Sequence, residues 1–158
     1  MATIKELFGT SNQAITCTIT SLANNGQRQS TAVDNSTNLY LDALVVVKVK
    51  TNAAGTSASG VVNVYAYGTA DGGTNYGDGV TGTDGSVTLT NPPNLRLIGS
   101  INAVANATTY VSVPMSVAAV FGGTLPEKWG IVVENKTGGA LDASVGNSFY
   151  QGVLAQSV

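Results

Sequence analysis

Apolar side chains in this chain recur at every second position, in short runs broken by turn residues. From Asn38 to Lys50 the sequence reads NLYLDALVVVKVK, rich in β-branched residues and long for one strand; Gly60 to Tyr67 follows as a second alternating run. A period of two places one set of side chains on each face of a strand, and no helix accommodates it. Further runs of this kind span Gln13–Ser21, Arg28–Val33, Ser86–Thr90, Asn94–Ile101, Thr108–Val113, Trp129–Glu134 and Ser148–Leu154. Between them stand turn signals: Asn25-Gly26, Ala54-Gly55, Asp84-Gly85, Asn91-Pro92-Pro93 and Thr137-Gly138-Gly139. Many short strands with this punctuation and almost no helical periodicity predict an all-β antiparallel sandwich or barrel. The continuously apolar centre of Asn38–Lys50 predicts burial on both faces there. At 158 residues the chain suits one domain that buries roughly 70% of its unfolded surface.

Three segments depart from the pattern. Thr3–Phe8 carries the capping box Thr3-x-x-Glu6 with Ile4, Leu7 and Phe8 at helical spacing, which predicts a short helix. So short a helix is unstable alone and must dock. Residues 1–12 are therefore expected to form an N-terminal arm preceding a single β-sandwich domain over residues 13–158. Ile4, Leu7 and Phe8 are its candidate interface, and a neighbouring subunit is the favoured partner. Met115–Phe121 predicts a further turn or two of helix. Gly68–Ser86, with seven glycines and three aspartates, predicts an exposed, mobile loop.

The chemistry available is narrow. The chain has no histidine, which removes Ser-His-Asp and Cys-His machinery and histidine-ligated metals. One cysteine, Cys17, allows neither a disulfide within the chain nor a thiolate cluster, and its place in an alternating run predicts a small apolar role. Of nine carboxylates, Asp42, Glu127, Glu134 and Asp142 suit surfaces or turns, and no pair is marked for acid–base work. No enzyme activity, cofactor or metal is expected. Asp71, Asp78 and Asp84 invite a calcium reading, but their spacing fits neither an EF-hand nor a nonapeptide repeat, and turns use the same residues. Tyr65, Tyr67, Tyr76 and Trp129 suggest a carbohydrate platform. Against that, Tyr65 and Tyr67 share one strand face and suit packing, and Trp129 opens an apolar strand where a core anchor belongs. The sequons at Asn35, Asn106 and Asn135 carry no meaning without a secretory signal.

Charged residues make up only 10% of the chain, and the net charge is −2. The seven basic residues are scattered, with only Lys48 and Lys50 close together on one strand face, so no direct nucleic-acid contact is expected. The first residues lack the apolar core of a signal peptide and no apolar stretch reaches the ~20 residues of a span, so neither secretion nor a membrane is expected. A surface of Ser, Thr, Asn, Gln, Gly and Ala suits broad, weakly charged contacts with neighbouring subunits, and hence a homo-oligomer.

The most distinctive stretch is Phe121 to Leu141, FGGTLPEKWGIVVENKTGGAL, followed by Tyr150-Gln-Gly-Val. With Tyr65-Ala-Tyr-Gly and Leu95-Arg-Leu-Ile-Gly upstream, it resembles small accessory virion proteins of tailed bacteriophages over roughly residues 30 to 154. The resemblance implies a jelly-roll-like sandwich on the capsid exterior. Such a decoration or cement protein is made in the host cytoplasm and bound to the major capsid protein. A tail or head-fibre component is the alternative among structural proteins. A carbohydrate-binding module for host attachment is the rival of a different class.

Overall fold

The structure, a computed structural model, describes residues 3–157. Its longest strands are those with the clearest alternation. In β5 (Asp42–Thr51) every odd residue from Ala43 to Thr51 is buried and every even one is half-exposed. β12 (Leu141–Ser157) lies antiparallel to it, from Val153 opposite Asp42 to Gly146 opposite Val49. The other edge of β12 takes β2 (Gln13–Ile15) and then β1 (Ile4–Phe8). The other edge of β5 takes β9 (Thr109–Val111) and β10 (Met115–Ser116). These strands make the first sheet.

The second sheet is centred on β11 (Lys128–Lys136), with β6 (Val61–Thr69) and then β8 (Arg96–Asn102) on one side. On its other side lie β3 (Gln27–Gln29) and β4 (Val33–Asp34), with β7 (Gly85–Ser86) beyond β3. Strands that share one edge of a neighbour can be counted together: β1 with β2, β3 with β4, β9 with β10. The two sheets then run first–eighth–third–sixth and second–seventh–fourth–fifth in chain order, with β7 an addition at one edge. That interleaving is a jelly roll, and both sheets are antiparallel.

Between the sheets, Val45, Val47 and Val49 face Val62, Val64, Ala66, Ile131 and Val133. Trp129 and Tyr150, one from each sheet, meet edge to face at 5.2 Å. A second, smaller core lies on the outer side of the second sheet, where Tyr67 and Val132 are covered by Val80, Leu89 and Leu95. The strand buried on both faces is therefore β11 and not β5, whose even residues remain half-exposed. Sequence alone does not separate the two, because the difference lies in what covers the outer face.

Several local expectations are corrected. Residues 4–8 form a strand and not a helix, paired with β12 from Ile4 opposite Ser157 to Phe8 opposite Val153. The helical signal there is a single turn, too short to offset its nucleation cost, whereas the overhanging end of β12 offers five ladder partners. The arm is thus part of the first sheet and not outside the β framework. Met115–Phe121 divides into β10 and a 3₁₀ turn over Ala118–Phe121, where Asp42 accepts the Ala118 N–H at 2.8 Å. The run Gln13–Ser21 is a strand only to Ile15, although Cys17 and Ile19 keep the buried alternation.

Candidate attachment surface

The end of β12 leaves the body of the sandwich. β5 supplies its last ladder partner at Asp42, opposite Val153. Beyond that point, among the described residues, Leu154 to Ser157 pair with β1 on one side only. The result is a two-stranded ribbon in which all five residues of β1 are exposed, Ile4 at 69% and Phe8 at 52%. Its base is fixed by close packing. Tyr40 lies against the backbone of Gly152, where any Cβ would strike its ring, and Gly9 N–H donates to the Gly152 carbonyl at 2.8 Å. Asn35 holds Tyr40 through both its amide atoms at 2.9 Å, which sets out Leu39 and Leu41, both exposed. Leu41 N–H donates to the Val153 carbonyl at 2.7 Å.

Alternation divides the ribbon into two faces. Ile4, Glu6 and Phe8 lie on one with Val153 and Ala155; Lys5 and Leu7 lie on the other with Leu154 and Gln156. The first of these continues the outer face of the first sheet, which carries Leu44, Val46 and Phe149, with Val111 and Val113 exposed at its far side. A hollow of about 100 Å³ opens there between Ser11, Leu44, Val46, Pro114 and Phe149. Charge on this face is sparse and partly committed. Asp42 accepts from Ser116 Oγ at 2.6 Å, and Lys50 lies 3.4 Å from Asp142. The candidate interface residues Ile4, Leu7 and Phe8 thus belong to one ribbon, but on opposite faces of it. Sequence reading missed Leu41 and Val153–Gln156. No alternation in residues 4–8 marks their strand, because the pairing is set by the overhanging end of β12.

The outer face of the second sheet is covered instead by residues 70–95. Each aspartate of the glycine-rich segment is spent on its own neighbours. Asp71 accepts from Thr69, from the Thr74 N–H at 3.0 Å and from the Asn75 side chain at 2.8 Å, which holds its carboxyl well below the usual range. Asp78 accepts from Thr90 Oγ1 at 2.7 Å and from the N–H groups of Asn94 (2.6 Å) and Leu95 (3.3 Å). Partial desolvation raises the Asp78 pKa, and these bonds more than reverse the effect. Asp84 is also desolvated, yet Arg28 Nε at 2.7 Å and Thr18 bring its pKa to about 2. The three are separate knots, and no group of three or more metal-ligating side chains occurs among the described residues.

The remaining sequence candidates lie apart from the ribbon. Trp129 is fully buried in the main core. Tyr67 is buried, with its hydroxyl donating to the Ser30 carbonyl at 2.7 Å, and Tyr76 packs edge-on against it at 5.2 Å. The Tyr67 ring occupies the space a Cβ would need at Gly130. Tyr65 is half-exposed, so the tyrosines form no shared platform. Burial, reinforced by nearby Asp84, pushes the Cys17 thiol up to about 12 despite Arg28. No helix among the described residues is long and apolar enough to cross a membrane. The chain matches no protein-family model and no curated protein.

Proposed function

We propose that the chain is a structural protein of a bacteriophage virion, a capsid decoration or cement protein. It docks on the folded major capsid protein through the β1–β12 ribbon and the outer face of the first sheet. The observation that carries the mode of attachment is the ribbon: five consecutive exposed residues, three of them Ile4, Leu7 and Phe8, held to the body through one strand. A two-stranded ribbon with both faces in water is marginal, so a partner surface stabilises it. The phage setting comes from the resemblance of Phe121–Leu141 and its companion motifs to accessory virion proteins. The chain acts as a homo-oligomer on the capsid exterior, and repetition around a shell turns modest single contacts into firm attachment.

Add-back to capsids lacking the protein tests this reading. The full chain is expected to saturate capsids and raise their thermal disruption temperature. A variant without residues 1–8 is expected to keep its fold by circular dichroism and to bind at least ten-fold more weakly. Equal binding by the truncated chain overturns the ribbon as attachment device. Antibody labelling confined to virion tails overturns the decoration role in favour of a tail component.

A further inference from the structure

At the far side of the molecule from the ribbon's sheet, Gln27 of β3, Tyr65 of β6, Glu134 and Lys136 of β11, and the turn Leu89–Pro93 enclose a cleft of about 240 Å³. Glu134 forms its floor and is only 5% exposed. Its carboxylate accepts from Gln27 Nε2 at 2.8 Å, Asn63 Nδ2 at 3.0 Å and Tyr65 Oη at 3.2 Å, with Lys136 Nζ at 3.4 Å. Gln27 is fixed in turn by the Leu89 N–H, which donates to its Oε1 at 2.7 Å. A buried carboxylate contributes little net stability, because an apolar residue of similar volume usually serves as well. Val132, two positions earlier on the same face of β11, is such a residue. The network is therefore better accounted for by what it presents than by what it stabilises.

What it presents is the Tyr65 ring, held at the cleft wall through its hydroxyl's bond to Glu134. Asn25 and Asn91 stand exposed at the mouth, and Tyr65 and Pro93 supply the apolar walls. Asn25, Gln27 and Leu89 also line a neighbouring cleft of about 600 Å³, bordered by Thr18, Thr20, Ser21, Ser86 and Thr88. The two clefts meet at these three residues, and their lining runs from Tyr65 of β6 past Glu134 of β11 and Gln27 of β3 to Thr20. Charge narrows the ligand class. Glu134 opposes an anion and Lys136 at the rim opposes a cation, which leaves a neutral molecule, and the exposed amides of Asn25 and Asn91 offer it donors and acceptors. Such amides donate and accept at once, which matches vicinal hydroxyls, and a ring wall matches the C–H face of a sugar.

We propose that the two clefts together bind a neutral glycan, one hexopyranose seated over Glu134 against Tyr65 and further units running past Asn25 toward Thr20. The site lies on the opposite sheet from the attachment surface, so a particle-bound copy presents it outward, and many weak sites act together. The test uses the whole chain, multimerised, on an array of neutral gluco-, galacto- and manno-oligosaccharides, followed by saturation-transfer NMR with any hit. Asn25→Gly keeps the left-handed backbone of that turn while removing the amide. It is expected to leave the melting temperature unchanged and weaken binding at least five-fold, and Tyr65→Phe to weaken it less. A silent array overturns the proposal. So does a hit whose affinity Asn25→Gly and Glu134→Gln both leave unchanged.

Discussion

Trp129 sits where β11 faces the first sheet, and its ring meets Tyr150 edge to face across the core. Trp129→Ala removes the largest fully buried side chain and leaves a void that rigid strands on both sides fill poorly. The expected loss is about 3–5 kcal/mol, read by urea denaturation with an unchanged slope. A variant that keeps its midpoint sinks the anchoring role. This residue was legible in sequence because it opens a β-branched run just after Pro126, where a core anchor belongs. Glu134, five residues on, was not. Read alone it is an ordinary surface acid, and its burial depends on Tyr65, Gln27 and the 89–93 turn arriving from distant parts of the chain.

Elements show the same division between what is local and what is assembled. The strands β5, β6 and β11 lie close to where period-two alternation put them, since alternation is a property of the segment itself. Residues 4–8 and 70–95 are different. In the first, the local signal is helical, and the overhang of β12 overrides it. In the second, turn-forming residues conceal a covering layer whose few apolar contacts, Val80, Leu89 and Leu95, lie far apart in sequence. Asp78 ties the end of that layer to the Thr90–Leu95 turn. Asp78→Ala deletes these acceptors at a half-exposed site and should cost about 1–2 kcal/mol. Hydrogen exchange should quicken at the Asn94 and Leu95 amides while those of β11 stay protected. Uniform quickening across the sandwich would show instead that the layer has no independence from the main core.

For the whole molecule, the carboxylates that join the covering layer to the second sheet set its response to pH. Asp78 and Asp84, with Glu134 beneath the layer, are desolvated, yet their hydrogen bonds and cationic neighbours lower their pKa values; Asp71 is lowered by its hydrogen bonds. A carboxyl whose folded pKa is depressed contributes stability that is complete above its unfolded value, roughly 4, and is lost as pH falls through the folded one. For Asp84 that loss runs from about pH 4 to about 2, and solvent screening holds its share to roughly 1 kcal/mol. With no histidine in the chain, no side chain of ordinary pKa titrates between pH 5 and 7, so stability should be flat across that range. At the alkaline end the sign reverses. The buried Cys17 thiol holds its proton to about pH 12, so the unfolded chain ionises first and stability declines above about pH 8.5. Melting temperature measured from pH 2 to 10 should therefore show a plateau with a fall on each side. On the acid side, exchange in residues 70–95 should rise before that of β5 and β12, because the knots lie in the covering layer and the main core is apolar. Asp84→Asn should lower the plateau and flatten the acid limb together. A transition near pH 6, or an acid limb that Asp84→Asn leaves untouched, would place the pH-sensitive contacts elsewhere.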